Sequence, residues 1–538
     1  MSLTRSMRDL SGFDKAWTWV MAGLALLACA GAAAQTPAPD ARQVRFDALF
    51  DQAMQRYQLP GLAVGVVQDG QVVYMRTAGE LEAGKGRAID ADTLFKIASN
   101  SKAMTTGLLA RLVDQGKLSW DDPVRKYLPD FRMHDPWVTE QIQVRDLLIH
   151  NSGLGLGAGD LMLWPEPNHF TRADIIAGLA HLKPTHSFRA HYAYDNLLYV
   201  VAGEVAAKAG GKPYEQLIRE EVFGPLGMHR CQVGAWSRDG VGNVAQPHMQ
   251  QGGRNVVVRE DGAQIPDSPS MAAGGIRCSL RDMLTWIGIW LDTDTARIWI
   301  SPAQRNAVWA LQTPMPISQR MRDWDGTHLY GYGYGWRISD VDGQWKVAHT
   351  GTLMGMYSSL VLLPDQRTGF IILINGEGEG ARTTLGQALT KFYTAPGRTE
   401  LDVNHYAELL AASAAPAAQA KQAAPAAKRV AATPKAMRAW LGVYRDAWFG
   451  EVSVCPKGKG VHFRAGKSPR LDGPVMQAEG KLLVDWTDPS VDAERRLSFA
   501  AGADGKPALK LAHVDPDGDF SYDYADLDFV RTGDCPAH

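Results

Sequence analysis

The chain predicts an α/β (α+β) fold: one antiparallel sheet flanked by helices, followed by a small all-β domain. Two hairpins and one break in composition carry that prediction. The first hairpin is "LAVGVVQDGQVVYMRTAGE", two β-rich runs around the turn residues Asp69 and Gly70. Helical periods follow over residues 102–115 and 195–209. The second hairpin, "YSSLVLLPDQRTGFIILIN", turns at residues 364–369. Hairpins at both ends of a region with helices between them favour an antiparallel sheet over a doubly wound parallel one.

The break is "LLAASAAPAAQAKQAAPAAKRVAATP", residues 409–434, almost all Ala, Pro, Gln and Lys. It offers little to bury and reads as a linker. The short alternating runs beyond it, punctuated by Gly, Asp and Pro, read as strands. The expected organisation is an export signal at 1–34, a catalytic region at 43–396, a linker at 397–434 and an all-β domain at 435–538.

Of the 538 residues, 45% are hydrophobic and 21% charged, the mixture of a packed globular protein. A net charge of −2 leaves no broad cationic surface for nucleic acid or anionic lipid, so the expected partner is a small molecule or peptide. Arg5, Arg8 and Lys15 precede "AWTWVMAGLALLACA" and a small-residue stretch, which is the order of an export signal. That apolar run is shorter than the roughly 20 residues a membrane-spanning helix needs, and none later is longer. Cleavage after Ala34 predicts a periplasmic or secreted protein; "LLAC" ending at Cys29 offers the alternative of a lipid anchor. Cys231, Cys278, Cys455 and Cys535 remain after cleavage. They either pair within each domain, Cys231 with Cys278 and Cys455 with Cys535, or stay as buried thiols.

Three short patterns could carry chemistry. In "IASNSKAM", Ser99 and Lys102 stand one helical turn apart on a shared face, where an amine could accept the hydroxyl proton that otherwise makes serine a poor nucleophile. An N-capping serine with a solvated lysine would give the same letters. The chain has no second S-x-x-K, and the following "MTTGLLARLV" is too apolar for a surface helix. In Tyr194-Asp195-Asn196, a phenol near a lysine could relay protons and an amide could hold substrate; a buried tyrosine with a capping asparagine is the plainer alternative. In His349-Thr350-Gly351, the glycine lets an extended substrate approach a strand edge. Arg367-Thr368-Gly369 falls in the hairpin turn and Arg531-Thr532-Gly533 in the C-terminal domain, so both are decoys.

Other features carry less. "NGEGEGA" formally fits a dinucleotide loop, but its glutamates would repel a pyrophosphate and no second parallel strand follows. His150 reads as a structural hydrogen-bonding residue. Neither H-E-x-x-H nor paired C-x-x-C occurs, so no metal or cofactor is expected. "YGYGYGW" either lines a pocket or packs the core.

In the order S-x-x-K, Y-x-N, H-T-G, the chain resembles the penicillin-recognising serine hydrolases, which include class C-type β-lactamases, D-Ala-D-Ala carboxypeptidases, D-aminopeptidases and esterases. The resemblance runs from "GLAVGVVQDG" to "HTGTLMGMYSSLVLLPDQRTGFIILIN", and the tail looks like a small domain of unknown function found behind such enzymes. It implies the β-lactamase/transpeptidase fold with a helical subdomain. It also implies Ser99 as acylated nucleophile, Lys102 as base, Tyr194 as proton shuttle, Asn196 as amide contact, and an oxyanion held by the N–H groups of Ser99 and Thr352. The expected activity is hydrolysis of an amide in a small peptide or β-lactam; ester hydrolysis, or a penicillin-binding sensor that does not turn over, are the alternatives. His349 stands where many β-lactamases carry lysine. A histidine there predicts a carboxylate preference that rises as pH falls.

Overall fold

A computed structural model describes residues 40–292, 299–423, 428–491, 495–502, 505–514 and 518–536. The predicted export signal and Cys29 lie outside them. The first hairpin closes as its turn residues predict: Asp69 (φ 50°) and Gly70 (φ 76°) both take left-handed backbone, the requirement of the tight turn whose twist matches the flanking strands. It joins β1 (Gly61–Gln68) to β2 (Gln71–Gly79). The rest of the sheet is β3 (Thr313–Pro314), β4 (Tyr330–Tyr332), β5 (Arg337–Val341), β6 (Gln344–Leu353), β7 (Met356–Leu363) and β8 (Thr368–Ile374). The order across it is β2-β1-β8-β7-β6-β5-β4-β3, and every neighbour is antiparallel. The fold is the mixed α/β type with an antiparallel sheet.

One face is covered by α1 (Ala41–Tyr57), and the other by α2 (Ser101–Asp114), α3 (Leu197–Gly210) and α4 (Leu280–Leu291). Two further helices, α5 (Glu379–Thr394) and α6 (Val403–Ala423), join α1 on its face. The alternation within β1 decides the sides: Leu62, Val64 and Val66 pack toward α1 and α5, while Ala63 and Val67 join the core of α2 and α4. Ser279 caps α4 by accepting from the Asp282 N–H. A Cβ at Gly65 would stand 2.7 Å from the Leu284 side chain, so glycine is what lets α4 seat on β1. From Ser101 to Ala110 every residue of α2 is sunk in this core, and Gly107 makes room there for Trp299 and Trp286.

Where a linker was expected, the chain continues as α6. Alanine has the highest helix propensity, and the "AASAAPAAQA" composition read as unstructured is also a helix-former's composition. Leu401, Val403 and Tyr406 anchor its start by burial against α1 and α5. Core residues therefore extend past Pro396, and α6 occupies much of residues 397–434.

The tail forms a closed eight-stranded antiparallel barrel from Gly442 to Gly533, with the short strand Val430–Ala431 added outside. Strand Asp472–Ala478 pairs with Lys481–Val484 to close the ring and leave no free edge. The barrel is docked rather than tethered. Its buried residues belong to the same apolar cluster as those of α2 and α3. Phe449 lies 5.6 Å from Phe170, the Trp448 side chain packs against Gly178, and Lys467 pairs with Asp174 at 2.7 Å. The ion pair is partly exposed and adds little, about 0–1 kcal/mol, so the apolar contacts carry the docking. Disulfides join Cys231 to Cys278 and Cys455 to Cys535, one in each part. Among the described residues no helix is long and apolar enough to cross a membrane.

Candidate active site

The site begins at a short turn, Ala98–Asn100, that feeds α2. Ala98 is held at φ 49°, a left-handed backbone costing a non-glycine residue about 1–3 kcal/mol unless its surroundings impose it. The surroundings do. The Ile97 N–H donates to Ile276 O (3.1 Å), Ser358 Oγ of β7 donates to Ile97 O (2.8 Å), and Asn100 Nδ2 donates to Ser358 Oγ (2.7 Å). Ser99 is therefore not the N-cap of α2, a position that falls to Asn100. Its hydroxyl instead accepts from Lys102 Nζ at 3.2 Å.

Lys102 is 0% exposed, and its amine donates also to Asn196 Oδ1 (2.7 Å) and Ala273 O (2.8 Å). The Tyr194 ring lies 4.9 Å from Nζ, face on, and the Tyr199 ring 5.1 Å. Asn196, at the mouth of α3, spends its other end on Asp160 Oδ2 (2.7 Å). Burial pushes the Asp160 carboxyl well above the usual range, so its neutral form is favoured beside the amide. Asp195 is also raised by burial, to about 6, and it accepts from the Leu198 N–H in the first turn of α3. The expected second pattern thus converges on the first: Tyr194 and Asn196 both line the cleft that opens over Ser99.

The third pattern arrives on β6. A Cβ on Gly351 would collide with Ile97 O and Ser358 Oγ and stand 3.0 Å from the Ala98 Cβ, so only glycine allows the strand to press against the serine turn. Thr350 and Thr352 line the cleft. His349 does not. Strand alternation turns it to the opposite face, where it is 0% exposed. Its Nδ1–H donates to Thr350 O (2.7 Å), and Nε2 accepts from the Tyr332 hydroxyl (2.7 Å). Burial, followed by the nearby Arg337 and Lys102 charges, holds its pKa well below the ordinary value. The expectation that His349 reads a substrate carboxylate is corrected here: the ring is buried, its nitrogens are both engaged, and it does not line the cleft.

A cation the sequence reading missed lies in the cleft. Arg337, at the start of β5, lines the cleft and donates to Thr350 Oγ1 (2.7 Å). Surrounding tyrosine hydroxyls raise its pKa further against the pull of burial. Its clue was register: Arg337 pairs with Ala348 and so shares a sheet face with Thr350. His150 is structural, as expected, accepting from the Asp195 N–H (3.1 Å) and packed 4.3 Å from the Tyr194 ring and 4.4 Å from Tyr332. In "YGYGYGW", Tyr332 and Trp336 are core residues.

The cleft encloses about 470 Å³. One wall comes from the barrel: Asp519, Phe520, Ser521 and Tyr522 reach in, with Phe520 edge-on to Tyr194 at 6.0 Å. A Cβ at Gly157 would stand 2.6 Å from Phe520 O, so a glycine also clears the way for this loop. No local signal marked these residues, because what places them is the docking of one domain on another. Among the described residues no cluster of His, Cys, Asp and Glu could hold a metal ion.

The protein-family model described as Beta-lactamase matches residues 46–395. A D-alanyl-D-alanine-carboxypeptidase/endopeptidase, AmpH of Escherichia coli strain K12, is 30% identical over 44% of this chain and 58% of its own length. Esterase EstB of Burkholderia gladioli is 33% identical over 35% of this chain and 50% of its own. Each match spans less than two thirds of the relative's length. Among solved structures, an octameric penicillin-binding protein homologue from Pyrococcus abyssi has a similar fold (TM-score 0.56, 19% identity) over 91% of this chain and 99% of its own.

Proposed function

Because the chain belongs to the β-lactamase family of serine hydrolases, we propose that it hydrolyses an amide next to a carboxylate, in a small peptide or β-lactam, through an acyl-enzyme on Ser99. The observation that carries this reading is the buried Lys102 amine 3.2 Å from Ser99 Oγ. In its neutral form the amine takes the hydroxyl proton as Oγ attacks the carbonyl carbon. The N–H groups of Ser99 and Thr352 receive the oxyanion. As the C–N bond breaks, Tyr194 hands a proton to the departing amine and is reprotonated through Lys102. Water then attacks the ester, Lys102 and Tyr194 take its proton, and the acyl C–O bond breaks as that proton is passed to Ser99 Oγ, releasing the acid and the free serine. Arg337, Thr350 and Thr352 hold the substrate carboxylate, and a guanidinium suits that planar group better than an imidazole. Asn196 acts mainly as a positioning residue, since its amide is engaged by Lys102 and Asp160.

The export order of the N-terminus and the two cysteine pairs support a periplasmic or secreted site of action. Ester hydrolysis is the second reading, favoured by the likeness to EstB.

The test is labelling by a serine-directed fluorophosphonate together with turnover of a D-alanyl anilide, a chromogenic cephalosporin and a nitrophenyl ester. Ser99→Ala is expected to abolish labelling and all turnover. Stoichiometric labelling of that variant would refute the assignment. Fastest turnover of the ester, with the anilide inert, would favour the second reading.

A further inference from the structure

A second cavity, of about 360 Å³, lies on the α5 side of the sheet, against β5 and β6. Arg337 and Thr350 line both it and the Ser99 cleft, so the two meet at the end where the carboxylate is held. This argument rests on the proposed function for which end of the cleft receives the leaving group.

The charge around the second cavity is unbalanced. Three guanidinium groups face it: Arg337, Arg382 from α5, and Arg320 from the short helix Gln319–Asp325. Among the described residues none of the three makes an ion pair. Of the two carboxylates in the lining, Asp325 is spent on Lys346 at 2.9 Å and on the Gln387 amide. That leaves Glu379 alone against three arginines. Arg382 is fixed by donating to Gly351 O (2.8 Å) and Thr352 Oγ1 (2.6 Å), and Arg320 lies 5.6 Å over the Trp324 ring. Burial pulls the Arg382 pKa down to about 10; Glu379 and Tyr357 oppose the fall, while Arg337 and Arg320 add to it. Three cations gathered around one cavity with a single carboxylate to balance them create a site for an anion.

We propose that this cavity is an anion-binding extension of the leaving-group end of the cleft, receiving a carboxylate or phosphate that lies beyond the group held by Arg337. The anion has two sources, a second acidic group on the leaving part of the substrate or a free anion of the medium. Both present the same chemistry to the three arginines, a cluster of anionic oxygens.

The experiment compares kcat/KM for one acyl group with leaving alanine, glutamine and glutamate, in wild type and Arg320→Gln. Titration of both proteins with inorganic phosphate by calorimetry accompanies it. Arg320 is exposed and lies outside the catalytic machinery, so turnover of the alanine substrate should be unchanged in the variant. Glutamate is expected to exceed glutamine by ~10-fold, the worth of one charge-assisted hydrogen bond, and the ratio should approach one in Arg320→Gln. A ratio near one in wild type, with phosphate bound by wild type and lost in the variant, also supports the site and assigns it to the free anion. A ratio near one with no phosphate binding by wild type overturns it. Absence of Ser99-dependent turnover of all three amides refutes the hydrolase reading instead, and the phosphate titration still decides the cavity.

Discussion

His349-Thr350-Gly351 in the sheet and Arg531-Thr532-Gly533 in the barrel are near copies of one another, and both lie on strands. Around Gly351 there is no space for a Cβ, because β6 abuts the Ile97 carbonyl and Ser358 hydroxyl that shape the serine turn. Around Gly533 there is nothing within 4 Å. The same three-letter pattern is a structural necessity in one place and incidental in the other. What separates them is the neighbour brought up against the strand from elsewhere in the chain.

Removing the second region altogether tests how far the two are independent. A chain ending near Pro396 would lose the buried Leu401, Val403 and Tyr406 along with the Phe520 wall of the cleft. Truncating large core side chains costs about 2–5 kcal/mol each, enough here to leave the protein insoluble or inert. Soluble yield and ester turnover of that chain measure it; full activity would show that α6 and the barrel are dispensable.

Gly351→Ala sharpens the contrast. The added methyl must push β6 off the serine turn, and a displacement near 1 Å at a catalytic centre costs ~10²-fold in kcat/KM. Steady-state kinetics would settle this, with circular dichroism to confirm that the variant is folded.

The two regions should also titrate in opposite senses. His349 and His150 are held below the ordinary value of 6.5 in the folded state by burial. Unfolding then takes up protons, so the sheet domain loses stability as pH falls below about 6.5. In the barrel, burial and the neighbouring Asp526 carboxylate push Asp523 from 3.8 up to about 7. The folded barrel therefore holds the extra proton between those values and loses stability as pH rises from about 4 to 7. Hydrogen exchange resolved by region, across this range, would show both slopes; Asp523→Asn should flatten the second.

The smallest effect belongs to Gly533→Ala. With open space around it, the change in stability should stay within about 0.5 kcal/mol and kcat/KM should not move. A Tm lowered by many degrees would mean the barrel copy is constrained after all.

Hairpins, buried helices and the hydrogen-bonded serine–lysine pair were all legible because their causes are local. The turn at Asp69 and Gly70 needs left-handed backbone at consecutive residues, and a three-residue spacing on a helical turn brings Ser99 and Lys102 together wherever that turn lies. The alanine-rich run was misread because a composition with little to bury fits a helix docked at one end as well as a linker.

Which way His349 faces was beyond local reading. Strand alternation puts His349 and Gly351 on one face and Thr350 and Thr352 on the other, and only the packing of β6 against the serine turn decides which of these side chains line the cleft. Arg337 replaced it at the cleft through cross-strand register, twelve residues away in the chain. Phe520 reached Tyr194 from another domain altogether, by apolar packing between surfaces that no spacing in the sequence encodes. The amino-acid order by itself determined the chemistry available, a serine hydroxyl with its amine. The tertiary structure decided which cation, which wall and which strand edge that chemistry would face, because those depend on contacts between segments hundreds of residues apart.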